Sequence, residues 1–63
     1  MMFVKLTTWH DGGEDPIPTF INMDYIKYFY YQEGKKRSVL VEPDDSNVYV
    51  RETPEQILEM MRP

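Results

Sequence analysis

The stretch Val48–Met61, VYVRETPEQILEMM, most constrains the fold, because it holds a strand, a helix start signal and a short helix without a break. Val48 and Val50 alternate with Tyr49 and Arg51, the pattern of a strand with two different faces. Any helix that follows must therefore begin directly where a strand ends.

Thr53-Pro54-Glu55-Gln56 predicts the N-terminus of that helix. The hydroxyl of Thr53 can accept a hydrogen bond from a backbone N–H of the first turn. Pro54 stands at the first helical position, where its missing N–H is not needed. Gln56 follows the cap by three residues and completes a capping box.

The helix must be short, because Pro63 ends it. Eight residues span about 12 Å, and an isolated helix of this length is not stable in water. Ile57, Leu58 and Met61 share one face, which predicts packing against a sheet. The alternative is a face that binds a partner, since methionine side chains adapt to different surfaces.

The chain has 63 residues, so we expect one domain, residues 1–63, near the lower size limit for independent folding. Domains of this size usually depend on disulfides, a metal ion or association for stability. No cysteine is present, and the chain contains one histidine, His10. These facts exclude disulfides and cysteine-rich zinc sites and favour a homo-oligomer, a dimer or larger.

The formal net charge of −4 disfavours general binding to DNA or RNA, which needs clustered positive charge. No apolar run approaches about 18 residues, so no transmembrane helix is predicted, and we expect no membrane association. The first residues lack the apolar core of a signal peptide, which favours a cytoplasmic location. Aromatic residues form 14% of the chain, which predicts a packed domain.

Alternating side chains and turn signals predict four further strands: Phe3–Trp9, Ile17–Asn22, Tyr25–Gln32 and Ser38–Glu42. Pro16 and Pro18 cannot donate to a ladder, which favours an edge position for the second strand. Strands joined by hairpin-length turns pair antiparallel. The predicted fold class is mainly β (small α+β), a curved antiparallel five-stranded meander capped by one short C-terminal helix.

The third predicted strand is the most aromatic segment of the chain. Both of its faces carry large side chains, and one short helix cannot cover both. Either the sheet curls around itself or a second copy covers the remainder. The candidate interaction surface consists of Tyr25, Tyr28, Phe29, Tyr30 and Tyr31.

No catalytic, cofactor-binding or metal-binding residue is predicted. His10 lies in a turn without an identifiable nucleophile or base. The segment His10–Asp15 reads as an acidic hairpin loop rather than a metal site, because it lacks ligand spacing. The carboxylate pairs Glu14–Asp15 and Asp44–Asp45 lie in turns where we expect nothing to perturb a pKa. No glycine-rich phosphate loop occurs, and we expect a non-enzymatic protein.

Basic residues next to the tyrosines suggest a different function. Aromatic rings beside lysine and arginine can stack on the bases of single-stranded RNA and neutralise its phosphates. The competing interpretation is a solvated hairpin whose lysines protect a sheet edge. The candidate nucleic-acid contacts are Lys35, Lys36, Arg37 and Arg51.

Three segments resemble the FlbD family of small bacterial flagellar and swarming-motility proteins and its uncharacterised bacterial and phage relatives. They are Val4–Thr7, Ile21–Ile26 and Val48–Leu58. The family pattern is I-x-L-T, a glycine turn, L-N-x-D-x-I, a valine-rich strand and V-x-E-S-x-E-E-V-I. The resemblance spans nearly the whole chain and implies a non-enzymatic accessory or regulatory role without catalytic residues.

The order of five strands and a helix is also similar to that of the carbon-storage regulator family of RNA-binding dimers. Arg51-Glu52 before the helix is similar to an arginine-bearing stretch of that family, although its basic N-terminal strand is absent here. This likeness is an analogy of architecture. It adds an RNA-binding regulator as the alternative function.

Overall fold

The computed structural model describes residues 2–8 and 16–63. The strands are β1 (Phe3–Thr8), β2 (Ile17–Asn22), β3 (Tyr28–Gln32), β4 (Arg37–Val41) and β5 (Asn47–Val50), and the helix α1 is Pro54–Met61. The five strands form one antiparallel sheet. The predicted fold class is confirmed: one antiparallel five-stranded sheet followed by a C-terminal helix.

The strand order in the sheet is β2-β1-β5-β4-β3. Three consecutive pairs, β1–β2, β3–β4 and β4–β5, are neighbours as in a meander. The first strand also pairs with the last, with Thr8 opposite Val50 and the Arg51 N–H donating to the Thr7 carbonyl over 2.9 Å. This pairing brings β1 and β5 together in the interior of the sheet. It leaves β2 and β3, which a simple meander would pair, at the two edges.

A 3₁₀ turn at Met23–Tyr25 separates β2 from β3. The sequence predicted a strand from Tyr25, and this start is wrong because β3 begins at Tyr28. The Asn22 side-chain oxygen accepts a hydrogen bond from the Asp24 N–H over 3.1 Å and caps the turn. Local bonds of this kind compete with a ladder, so the chain turns before its aromatic run becomes a strand.

The other strand boundaries differ less from the prediction. β2 has the predicted bounds and the predicted edge position. β4 begins and ends one residue earlier than predicted, at Arg37 and Val41. Trp9, predicted at the end of the first strand, and the predicted acidic loop His10–Asp15 lie outside the described residues.

The core lies between the inner face of the sheet and α1. Its buried members are Val4, Leu6, Met23, Leu40, Val50 and Ile57. Inner-facing residues alternate with outer-facing ones along β1, where Val4 and Leu6 are buried and Lys5 is exposed. A strand pattern of period two therefore accounts for most of the core.

The predicted capping box of α1 is confirmed. The Gln56 N–H donates to the Thr53 hydroxyl over 3.1 Å, and the Thr53 N–H donates to the Gln56 side-chain oxygen over 2.8 Å. Ile57 is fully buried, whereas Leu58 is 55% exposed, so its predicted place on the packed face is wrong. The contact follows the row formed by Ile57 and the partly buried Met61, four residues apart. Within the described residues, no helix is long and apolar enough to span a membrane.

Candidate functional site

The outer face of β3, β4 and β5 carries the most distinctive side-chain arrangement in the structure. The ladder places Tyr30 and Tyr49 on either side of Val39 and places Tyr28 beside Val41. Side chains alternate along a strand, so this face is opposite the core. We call it the aromatic face, defined by Tyr28, Tyr30, Arg37, Val39, Val41 and Tyr49.

Two valines on the aromatic face are buried although they do not belong to the core cluster. Val39 is fully buried and Val41 is 4% exposed. Tyr30 and Tyr49 lie beside Val39, and Tyr28 lies beside Val41, in the arrangement of cross-strand aromatic and β-branched pairs. The tyrosines therefore act as the outer layer of a second, small apolar cluster.

The rings on β3 stay largely open to solvent. Tyr28 is 53% exposed and Tyr30 is 44% exposed. Their ring centroids are 6.3 Å apart with an interplanar angle of 26°, an offset stacked pair. The ammonium nitrogen of Lys27 lies 6.0 Å from the centroid of the Tyr28 ring, at the limit of a cation–π contact.

Arg37 is built into the aromatic face rather than extended into solvent. Its guanidinium carbon lies 3.7 Å from the centroid of the Tyr49 ring. Its Nε donates to the Gln32 side-chain oxygen over 2.8 Å, and the residue is only 7% exposed. A planar guanidinium can stack and donate at once, so Arg37 joins β3, β4 and β5 on this side.

The five residues of the predicted interaction surface do not form one surface. Tyr28 and Tyr30 point outward, whereas Phe29 packs against the core and Tyr31, on the same side as Phe29, is half-buried. Tyr25 belongs to the 3₁₀ turn and is 61% exposed. Tyr49 completes the aromatic face, and the alternation of Val48 and Val50 around it could have indicated this.

The predicted nucleic-acid contacts also separate. Lys35 and Lys36 are exposed in the turn between β3 and β4, where Lys36 has a left-handed backbone with φ of 52°. Arg51 is exposed and follows Tyr49 by two positions, which puts it on the same side of β5 by strand alternation. Arg37 alone of the four is buried in the sheet surface.

A cavity of about 290 Å³ lies beside β2. Ile21, Ile26 and Val48 are among its apolar lining residues, and Glu42 is its charged lining residue. The volume is at the lower limit of small-molecule pockets, which run from about 300 to 1,000 Å³. It could hold one large apolar side chain.

In the described part of the chain, two pKa shifts involve the turn Glu42–Ser46: that of Asp44, which lies in the turn, and that of Lys27, which contacts it. The Ser46 N–H donates to the Asp44 carboxylate over 3.0 Å and lowers the pKa of that carboxyl. The expectation that nothing perturbs this carboxylate pair was therefore wrong for Asp44. The Lys27 ammonium donates to Asp45 over 2.9 Å, and this hydrogen bond raises the pKa of Lys27. Both shifts follow from hydrogen bonds made by residues of this turn.

Among residues 2–8 and 16–63, no group of three or more histidine, cysteine, aspartate or glutamate side chains is placed to hold a metal ion. The predicted loop His10–Asp15 is not among those residues. The candidate site in the described structure is the aromatic face with its stacked rings.

Comparisons of the chain with protein family models, with curated proteins and with solved structures find no match. The resemblance to the FlbD family stays a prediction from the sequence.

Proposed function

We propose that this chain is a small, non-enzymatic interaction protein that acts as a homo-oligomer. One observation carries the proposal. Among the described residues, eight large hydrophobic side chains are exposed, and eight hydrophobic residues are buried. The exposed ones are Phe3, Ile17, Phe20, Tyr25, Tyr28, Tyr30, Leu58 and Met60. Burial of such surface in an association is favourable by about 25 cal/mol per Å².

These exposed side chains are grouped rather than scattered. Tyr28 and Tyr30 stack on β3. On the hairpin β1–β2, Phe20 lies opposite Lys5 and therefore diagonal to Phe3, and the two phenyl rings are 69% and 54% exposed. Grouped apolar surface marks interaction sites on soluble proteins.

A non-enzymatic role is supported by the cause of each perturbed pKa. Active sites shift pKa values by burial and by neighbouring charges. Here the shifted groups, Asp44 and Lys27, are exposed, and their pKa values respond to hydrogen bonds with Ser46 and with Asp45. The FlbD resemblance supports the same conclusion and points to a cytoplasmic accessory or regulatory role in a bacterium or its phage.

Sedimentation equilibrium over a wide range of micromolar concentrations tests the proposal. We expect the wild-type chain to sediment as a dimer or a larger assembly, with a molar mass that rises with concentration. Tyr28→Ser should lower the assembled fraction, since it removes an exposed ring. Glu55→Gln, an exposed change on α1, should not alter it. A folded monomer at every concentration would contradict the proposal.

The second candidate function is that of an RNA-binding regulator. The observation in its favour is the stacked pair Tyr28–Tyr30, whose rings are half open and are bordered by Lys27. Bases can stack on such rings independently of sequence. Arg51 supplies a further cation by strand alternation.

Filter binding with a pool of single-stranded RNA at two salt concentrations separates the two functions. Phosphate contacts make affinity fall steeply with salt. Lys35→Gln, Lys36→Gln and Arg51→Gln remove exposed charges and leave the buried Arg37 in place. Unchanged binding of this triple variant would exclude the RNA function.

A further inference from the structure

One edge of the sheet, the outer edge of β3, is chemically open. The Glu42 N–H donates to the Ser46 carbonyl over 2.9 Å, so the even-numbered residues of β4 bond to β5. Val39 and Val41 then bond to their β3 partners, Tyr30 and Tyr28. Along a strand of an antiparallel ladder, every second residue directs its N–H and C=O groups to the same neighbouring strand. The N–H and C=O groups of Phe29 and Tyr31 therefore point away from β4.

The two edges of the sheet differ in protection. On β2, Pro18 lies opposite Thr7, whose carbonyl is bonded towards β5. The ring nitrogen of Pro18 therefore points outward and blocks a ladder there. β3, Tyr28–Gln32, contains no proline, glycine or charged residue. Natural edge strands normally carry such protection.

We propose that a second copy of this chain pairs with the open edge of β3, antiparallel, about a two-fold axis through Tyr30. This inference rests on the proposed homo-oligomer and names its interface. The register follows from the open groups: Phe29 lies opposite Tyr31 of the second copy, and Tyr31 lies opposite Phe29 of that copy. Each such pair exchanges two hydrogen bonds, so the ladder is self-complementary.

The side chains agree with this register. Tyr30 meets Tyr30 of the second copy at the axis, so the aromatic faces of both copies become continuous. Tyr28 lies opposite Gln32 of the second copy, and both are uncharged. Just beyond the ends of the strand, Lys27, which also donates to Asp45 of its own copy, lies level with Glu33 of the second copy, a pair of opposite charges. The strand is neutral, and the net charge of −4 is carried elsewhere.

A single cysteine tests the register, because the chain has no cysteine of its own. Residues at a non-hydrogen-bonded pair have Cα atoms about 4.5 Å apart, within the range of a disulfide. Under mild oxidation, Tyr30→Cys should migrate almost entirely as a covalent dimer on a non-reducing gel. Tyr28→Cys is the matched control, because the two copies of residue 28 would be about 13 Å apart along the strands. On the same gel, Tyr28→Cys should migrate as a monomer, without a disulfide between the two copies.

Tyr31→Pro tests the ladder itself. It removes an N–H group that the fold does not use, and the ring blocks the approach of another strand. Two hydrogen bonds per dimer are lost, so the dissociation constant should rise about tenfold or more. Tyr31→Ala removes the same phenol but keeps the N–H, and it should weaken the dimer less.

The outcomes separate this inference from the proposed function. An oligomeric wild type with no cross-link at Tyr30→Cys would overturn the β3 interface and leave the homo-oligomer standing. A wild type that is monomeric throughout would overturn both. If Tyr31→Pro loses its circular dichroism signal, the cysteine pair alone decides.

Discussion

Glu52 shows how one side chain completes the sheet. Its carboxylate accepts from the Thr7 N–H over 2.8 Å and from the Thr7 hydroxyl over 2.9 Å. Its carbonyl accepts from the Ser38 hydroxyl. The carboxylate thus takes the place of a ladder carbonyl where the backbone pairing of β1 and β5 ends.

We expect Glu52→Ala to reduce the free energy of unfolding by about 1–3 kcal/mol, because it leaves the half-buried Thr7 N–H without its acceptor. Urea denaturation followed by circular dichroism measures this change. Glu55→Ala makes the same change in charge at an exposed helix position and should have a much smaller effect. Equal losses in the two variants would refute the role of Glu52.

The sequence did not predict this role. Glu52 directly precedes the capping box, where the positive end of the helix dipole is by itself enough to favour a carboxylate. Its partner Thr7 lies 45 positions away. A contact over that separation depends on the pairing of β1 with β5, which no local pattern of residues contains.

Arg37 makes a second prediction at this scale. Arg37→Lys keeps the charge but loses the plane that stacks on Tyr49 and the Nε donor to Gln32. We expect a loss of about 0.5–1 kcal/mol in thermal or urea unfolding. Arg51→Lys, at an exposed position, should leave stability unchanged. If Arg37→Lys left the free energy of unfolding unchanged, the stacking on Tyr49 would contribute nothing to stability.

At the scale of elements, α1 depends on one buried side chain. Ile57→Ala removes a fully buried side chain and should destabilise the fold by about 2–5 kcal/mol. That is much of the stability expected for a domain of this length, at roughly 0.05–0.15 kcal/mol per residue. Leu58→Ala changes the adjacent, 55% exposed residue and should cost about 0.5 kcal/mol or less.

The turn Glu42–Ser46 predicts how the stability of the fold changes with pH. The pKa of Asp44 is lowered from 3.8 by the hydrogen bond from Ser46, so the contact stabilises the fold above pH 3.8. That contribution disappears as the pH falls through the lower pKa of the folded state. In acid titrations of unfolding, Asp44→Asn should lose this slope, and at neutral pH it should lack the contribution that the wild type loses in acid. An unchanged slope would contradict the assignment.

The elements differed in how far local sequence could predict them. β2 and α1 matched because proline and the capping box act within a few residues of the boundary. The start of β3 was missed because YIKYFYY continues the apolar pattern across a turn that Asn22 caps. For the candidate site, Tyr28 and Tyr30 were predicted as surface. The burial of Arg37 beside Tyr49 was not, since it needs the pairing of β4 with β5.

At the scale of the whole molecule, association should appear in stability. A ligand that binds only the folded state raises the melting temperature, and a second copy acts as such a ligand. We expect the Tm of the wild type to rise with protein concentration in differential scanning calorimetry. The Tm of Tyr31→Pro should depend less on protein concentration, because its dimer is weaker. A wild-type Tm that does not change with protein concentration would refute the assembly.

The pairing of β1 with β5 also sets an order of events during protein synthesis. Val50 lies 42 positions after Thr8, so at about 5–20 residues per second the ribosome makes β5 roughly 2–8 s after β1. Until then the hairpin β1–β2 has neither its sheet neighbour nor the helix that covers Val4 and Leu6. The nascent chain therefore waits with its apolar strand uncovered and folds only when its last elements emerge.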